Sequence, residues 1–511
     1  MKKNILLCAS LLALGAFNTS YAQKGGTTAP QATHEQNAMF DKGDSVPAPV
    51  VTHHTISIDG KEISYTATTG YMPMKDTVGK LLAKIFYIAY TADNSAAKRP
   101  VTFVFNGGPG SSSIWLHMGA ISPVRVKFGD DNGAMPAPPY TFTDNAGSWI
   151  GFTDLVFIDP VSTGYSRPNK GVNARRYHGY NEDIASVGDF IRLYVTRNER
   201  WGSPKFLAGE SYGTTRASGL SGYLQDAYGM YLNGITLISS VLNFEYIDLN
   251  RGNELPFVLF LPTYATSAQF HKKLSAELEA MPVEQLAKRA ETFAEGTYNQ
   301  FLMQGDNASA DLTNKVVDSL NYFTGLSKEY IRSTNERIYD GRFFKELLRD
   351  EGKTIGRYDS RYTGEDADDA GEGNSYDPSY SAVSGLFNGV FNEYVRTVLG
   401  YKSDLQYEAL TNVWPWNFGN ATNSYLDVSE TLRGAMTKNP YLKVMVCCGY
   451  YDLATPFCNA EYAVSHMGLR KDVRNNIILN YYKGGHMMYV NKDDDIKLKT
   501  DAEKFYQNAV K

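Results

Sequence analysis

From Val51 onward, apolar and polar positions alternate. HTISIDG and KEISYTAT place apolar side chains at every second residue, and the richer run KIFYIAYTA follows. A period of two is that of a strand with one buried face. The Asp59-Gly60 pair between the first two runs predicts a tight hairpin, so the folded part of the chain opens with antiparallel strands. Further on the pattern turns to short apolar runs that predict strands, the one from Ile235 to Leu242 a buried strand. These are Val101 to Phe105, Asp154 to Asp159, Lys205 to Ala208, Ile235 to Leu242, Val444 to Asp452 and Asn475 to Tyr482. Between Asn181 and about Arg197, Ile184, Val187, Phe190, Ile191 and Tyr194 recur at helical spacing. Strand, helix and strand in succession predict a parallel sheet. The fold class is therefore α/β, with a mostly parallel central sheet preceded by antiparallel strands.

After about Asn250 the strand signals stop. Patterns such as HKKLSAELEAM and VEQLAKRAETFAEGTYNQFLM are helical. They predict a largely helical insertion over residues 251–390, between core segments at 51–250 and 391–511. The acidic stretch from Gly364 to Ser379 reads as a solvated loop, since its carboxylates lack the spacing of a calcium-binding loop. A final amphipathic segment, Asp501 to Val510, closes the chain, and no internal repeat is present. The length of 511 residues suits about two to four domains, or one large α/β domain carrying an insertion.

Residues 1–22 read as a signal peptide. Lys2 and Lys3 precede an apolar run, Ile5 to Phe17, that is too short to span a bilayer, and Ser20-Tyr21-Ala22 offers a cleavage pattern. Residues 23–50 then form a flexible lead-in poor in apolar side chains. The mature protein is expected to be exported, periplasmic or secreted, with no membrane span. Its net charge of −5 gives no basic surface for nucleic acid. The aromatic share of 13%, with 36 tyrosines, suits half-buried positions. Three cysteines remain after export, Cys447, Cys448 and Cys458, which permits at most one internal disulfide. Their spacing is not that of a zinc site.

Candidate chemistry enters with Gly209-Glu210-Ser211-Tyr212-Gly213. It follows a short strand and precedes a helix-compatible run, which is the setting of a nucleophile elbow with Ser211 at its apex. Asn106-Gly107-Gly108-Pro109-Gly110, at the end of another strand, is a bend able to turn backbone N–H groups toward an oxyanion. It lacks the lysine and spacing of a phosphate loop. A serine needs a base and an acid to orient that base. His34, His53 and His54 lie at the N-terminal edge, His117 and His178 precede the serine, and His271 and His466 sit on helical segments. His486 alone follows a strand closely, in a Gly-Gly turn, and Asp452 ends the strand before it. The order Ser211, Asp452, His486 is that of the α/β-hydrolase triad.

The chain resembles the serine carboxypeptidase family. The resemblance rests on FNGGPGSSS (Phe105 to Ser113), SW…FIDPVSTGYS (Ser148 to Ser166), GESYGT (Gly209 to Thr214), GYYDLATP (Gly449 to Pro456) and GGHM (Gly484 to Met487). It implies an α/β-hydrolase fold with a helical insertion over the site, a peptide substrate, and no metal or organic cofactor. By position it makes Ser211 the nucleophile, His486 the base and Asp452 its orienting acid. The backbone N–H groups of Gly108 and Tyr212 become the oxyanion hole. Asn106 and Glu210 match two of the family's three side chains for the substrate's terminal carboxylate. The third, an acidic residue that shares a proton with the second, is Ala120 here, with Arg125 downstream as a candidate substitute cation. Cys448 and Cys458 either close a small loop around Asp452 or are packed thiols. The activity implied is removal of C-terminal residues from peptides. An esterase, peptidase or acyltransferase indifferent to the free carboxylate is the alternative.

Overall fold

Asp59 and Gly60 both take positive φ, 50° and 75°, which gives the turn a twist that matches two antiparallel strands. In the computed structural model, which describes residues 46–93 and 98–511, this turn joins β1 (Val50–Ile58) to β2 (Lys61–Lys75). The expected signal peptide and residues 23–45 of the lead-in lie outside the described residues. β2 pairs antiparallel with β3 (Leu81–Ala92). Beyond Thr69 it has lost β1 as a partner. Pro73 falls in that one-sided stretch, where a proline costs the ladder least.

The apolar runs become β4 (Val101–Phe105), β5 (Asp154–Ile158), β7 (Lys205–Ser211), β8 (Gly234–Ser240), β9 (Lys443–Gly449) and β10 (Ile477–Tyr482), and a two-residue strand that no pattern indicated, β6 (Arg167–Pro168), lies between β5 and β7 in the chain. The sheet order is β1-β2-β3-β5-β4-β7-β8-β9-β10, with β6 beside β3. From β5 to β10 the neighbours along this path are parallel. β4 and β5 are buried at every position, which is why they read as unbroken apolar runs rather than alternation.

Both faces of the sheet are covered. Phe103 of β4 packs in one core with Val187 and Phe190 of α1 (Tyr180–Arg197) and Leu220 of α2 (Tyr212–Tyr228). Val104, on the opposite face, shares a second core with Phe206 and with the chain's last helix, Lys492–Ala509, through Phe505 and Tyr506. That helix begins nine residues earlier than the amphipathic pattern from Asp501 indicated. Its N-cap Asn491 accepts from the N–H groups of Asp493 and Asp494, so a cap extends it through a polar stretch.

Between β8 and β9 the chain is largely helical. It includes α3 (Leu255–Phe270), α4 (Val283–Phe293), α5 (Ala310–Thr324) and α6 (Pro378–Thr397). A two-stranded sheet, Lys353–Ile355 against Thr363–Glu365, interrupts the helices. Phe257, Phe260, Tyr264, Val316, Leu320 and Phe343 build a separate core, and Leu453 enters it from the sheet side. α6 crosses residue 390, and its Leu386, Phe387, Val390 and Phe391 join the core of Val104 instead. The acidic stretch is only partly a solvated loop. Asp366 pairs with Lys345 at 2.8 Å and accepts the Ser375 N–H at 3.0 Å. Burial acts to raise its carboxyl, but these donors outweigh burial and hold it at about 2.

Candidate active site

The nucleophile elbow follows from steric exclusion. Ser211, the last residue of β7, has φ 59° and ψ −130°, a strained conformation for a residue with a side chain. A Cβ on Gly209 would lie 2.2 Å from the Gly213 carbonyl oxygen, and one on Gly213 would lie 2.7 Å from that of Phe105. Only glycine fits on either side of the serine. Glu210 and Tyr212 are buried while Ser211 is partly exposed, so the turn presents one side chain outward. α2 starts at Tyr212, whose N–H is among the four at a helix start with no intrahelical acceptor.

The glycine-rich bend lies directly on this elbow. A Cβ on Gly107 would come within 2.3 Å of the Tyr212 backbone nitrogen. Gly108 and Gly110 take φ of 101° and 103°, and the Ser111 N–H donates to the Gly107 carbonyl at 3.0 Å. Two further elements brace the bend. Arg216 of α2 donates through Nη1 to the Asn106 carbonyl (2.5 Å) and through Nε to Asp183 of α1 (2.8 Å). A distant segment contributes the Thr411 N–H to the Gly110 carbonyl (2.8 Å), and its Ala409 carbonyl accepts the Ser112 N–H (3.0 Å). Trp416 of the same segment packs its ring 5.5 Å from that of Tyr212.

Arg216 and Asp183 are 1% and 3% exposed. Removing one partner of so buried a pair strands the other's charge. Arg216→Met is therefore expected to lower unfolding free energy by about 3–5 kcal/mol, read from urea denaturation midpoints. An unchanged midpoint would show that the pair does not hold the bend.

Asp452 and His486 are brought together by the ends of β9 and β10. His486 Nδ1 lies 2.8 Å from Asp452 Oδ2, with both side chains buried. Asp452 Oδ1 accepts the N–H groups of Ala454 (2.8 Å) and Thr455 (2.9 Å), and Oδ2 accepts the Thr455 hydroxyl (2.7 Å). Burial acts to lower the His486 pKa, but the adjacent Asp452 charge and hydrogen bond, with Glu210 beyond, leave it above its ordinary value. The His486 backbone is held from two more directions. Its main-chain N–H donates to the Tyr358 carbonyl at 2.5 Å, and Ser239 Oγ donates to its carbonyl at 2.7 Å. The Tyr358 ring also stands 5.1 Å from the imidazole, so the largely helical segment between β8 and β9 reaches His486.

Among the described residues no other histidine is paired with a carboxylate. His117 meets the Tyr90 hydroxyl at 2.8 Å, and burial pulls its pKa down to about 3. His178 faces Ser162 Oγ at 3.0 Å, and His271 donates to the Ser360 carbonyl at 2.6 Å. His53 and His54 lie on β1, and His466 ends the helix Phe457–His466. His34 falls outside the described residues.

Beside the elbow, Asn106 Nδ2 donates to Glu210 Oε1 at 2.9 Å, and Asn106 Oδ1 accepts the Leu116 N–H at 3.0 Å. Burial pushes the Glu210 carboxyl up to about 7, against the lowering effect of His486 and of its hydrogen-bond donors. Ala120 is buried in the single π-helical turn His117–Ile121, and its carbonyl accepts Asn145 Nδ2 at 2.6 Å. Arg125 does not serve as a substitute cation. Its guanidinium pairs with Asp495 at 2.6 Å and donates to the Tyr489 carbonyl at 2.8 Å.

The three cysteines are buried free thiols, so Cys448 and Cys458 close no loop around Asp452. Burial pushes Cys447 up to about 12. Glu291, Cys458 and Glu461 lie close enough together to hold a metal ion. Their carboxylates already take Lys288 (2.6 Å) and the Tyr481 hydroxyl.

A mostly parallel sheet with helices on both faces, a strained serine at the end of β7 and an acid–base pair at the ends of β9 and β10 define an α/β-hydrolase. The chain belongs to the serine carboxypeptidase family, whose model matches residues 58–500. It is similar to the prohormone-processing carboxypeptidase Kex1(delta)p of Saccharomyces cerevisiae, a solved structure. The TM-score is 0.53 at 16% identity, covering 87% of this chain and 91% of that one. A pheromone-processing carboxypeptidase kex1 of Neosartorya fischeri is 31% identical over 137 residues, 25% of this chain and 18% of that protein. Serine carboxypeptidase S10 family member 1 of Dictyostelium discoideum is 23% identical over 195 residues, 38% of this chain and 41% of that protein. The two sequence matches thus span less than half the length of the relatives from Neosartorya fischeri and Dictyostelium discoideum.

Proposed function

We propose that the protein is an exported serine carboxypeptidase that removes C-terminal residues from peptides through an acyl-enzyme on Ser211. The observation that carries the reading is the buried Asn106–Glu210 pair, set next to a strained serine and within reach of His486. Ser211 Oγ attacks the last peptide carbonyl while His486 takes its proton. Asp452 fixes the Nδ1–H tautomer and stabilises the imidazolium. The N–H groups of Gly108 and Tyr212 receive the oxyanion. His486 then gives the proton to the departing amino acid, and water releases the shortened peptide by the reverse sequence. Asn106 and protonated Glu210 hold the substrate's carboxylate and so select the chain end. The helical insertion, proposed as a unit over residues 251–390, shapes the side-chain pocket. Export is read from residues 1–22, and no described helix is long and apolar enough to cross a membrane.

The test compares a peptide free acid with its C-terminal amide across pH. Both substrates need neutral His486, but only the free acid needs protonated Glu210. A carboxyl raised to about 7 keeps its proton below that pH and loses it above. The free-acid to amide ratio of kcat/KM, which reports the free enzyme's groups, should hold a plateau below about pH 7 and decline above it. Equal rates on both substrates at every pH would favour an esterase, peptidase or acyltransferase that ignores the carboxylate.

A further inference from the structure

Tyr489 lies three residues after His486, in a short helical turn, Met488–Val490. Its ring packs against Gly119, the residue before Ala120. A Cβ at position 119 would fall 2.5 Å from Tyr489 Cε2. The ring therefore packs on the residue next to the one position where an acidic residue was expected and alanine stands. The Tyr489 backbone is fixed through its carbonyl by Arg125, itself anchored on Asp495.

The Tyr489 hydroxyl and Glu210 Oε2 are both buried, and neither completes a well-formed hydrogen bond. The two groups are neighbours: the phenol acts on the Glu210 carboxyl as a poorly aligned donor that lowers its pKa, and Glu210 exerts the largest charge effect on the phenol. A buried donor and a buried acceptor joined only by so poor a contact are free to turn to a ligand that bonds both.

We propose that Tyr489 supplies the donor that Ala120 cannot, so that its phenol O–H, Asn106 and Glu210 together hold the terminal carboxylate of a peptide substrate. This rests on the carboxypeptidase reading above. A phenol differs from a second carboxyl in one consequence. Burial drives its pKa well above 10, so it stays a donor throughout the working range. Glu210 is then the single titrating group of the carboxylate site.

The test is Tyr489→Phe in the full-length protein, assayed on a peptide free acid and its amide, with fluorophosphonate labelling of Ser211 as the control for folding. The variant keeps the ring on Gly119 and loses only the hydroxyl. The expected result is a fall of about ten- to a hundredfold in kcat/KM on the free acid, the range for losing one donor to a charged group. Labelling rate and turnover of the amide should change less than about twofold. The pH at which the free-acid preference is lost should also rise, because Glu210 loses a donor that favours its ionised form. An unchanged free-acid preference would overturn the proposal. So would equal losses on both substrates with slowed labelling, which would make Tyr489 a packing residue. If wild type itself shows no free-acid preference, the carboxypeptidase reading fails and the proposal with it, a result distinct from a preference that survives the substitution.

Discussion

Replacing Ser211 with alanine is expected to lower kcat on a peptide by about 10⁶-fold, the loss typical of removing a triad nucleophile. Alanine keeps a Cβ at φ 59°, so backbone strain is unchanged and the fold should be retained. The bend at Gly107 and Gly108 packs on backbone atoms of the elbow, not on the serine hydroxyl. His486→Ala should cost nearly as much, and the double variant hardly more, because nucleophile and base act as one unit. Purified variants assayed by mass spectrometry of peptide products, with melting temperature as the folding control, give the answer. Two losses that multiplied would show that serine and histidine act independently.

The second large effect is expected at Asp452. Asp452→Asn should lower kcat by about 10⁴-fold with the fold intact, as when a triad acid loses its charge but not its shape. Four donors converge on this carboxylate: the N–H groups of Ala454 and Thr455, the Thr455 hydroxyl and His486 Nδ1. An asparagine whose oxygen serves the two backbone N–H groups must turn its NH₂ toward His486. Nδ1 then accepts, Nε2 carries the proton, and the imidazole is unable to take one from Ser211. Loss of the negative charge also removes the main influence raising the His486 pKa, so that pKa should fall. A pH profile of kcat checks both statements. A loss of tenfold or less, with an unshifted profile, would mean that the pair at 2.8 Å is structural.

Local signals carried far in this chain, and non-local ones did not. The hairpin at Asp59-Gly60, the buried runs of β4 and β5 and the apolar stripe of α1 lie within single windows of sequence. Each element appears where its pattern indicated, with ends shifted by a few residues. Asp452 and His486 were legible because each closely follows a strand that its own sequence window reveals. The bracing of the glycine-rich bend was not. Ala409 and Thr411 reach it from some 300 residues away, in a segment with no regular pattern of its own. The Tyr358 carbonyl over His486 likewise comes from the insertion, and a backbone acceptor leaves no trace in residue identity. Arg125 shows the opposite failure. A cation near an expected anion site looked available, while its partner Asp495 lies 370 residues further on. Tyr489 carried one usable signal, its place directly behind the His486 turn, but only the packing on Gly119 relates it to Ala120.

The most direct measurement is a fluorophosphonate titration of the mature protein, with the adduct located by peptide mapping and residual C-terminal trimming followed in the same samples. A single adduct on Ser211 is expected, with trimming that falls in proportion to the fraction labelled and reaches zero at full occupancy. Trimming that persists with Ser211 fully modified, or an adduct on another residue, would contradict this expectation.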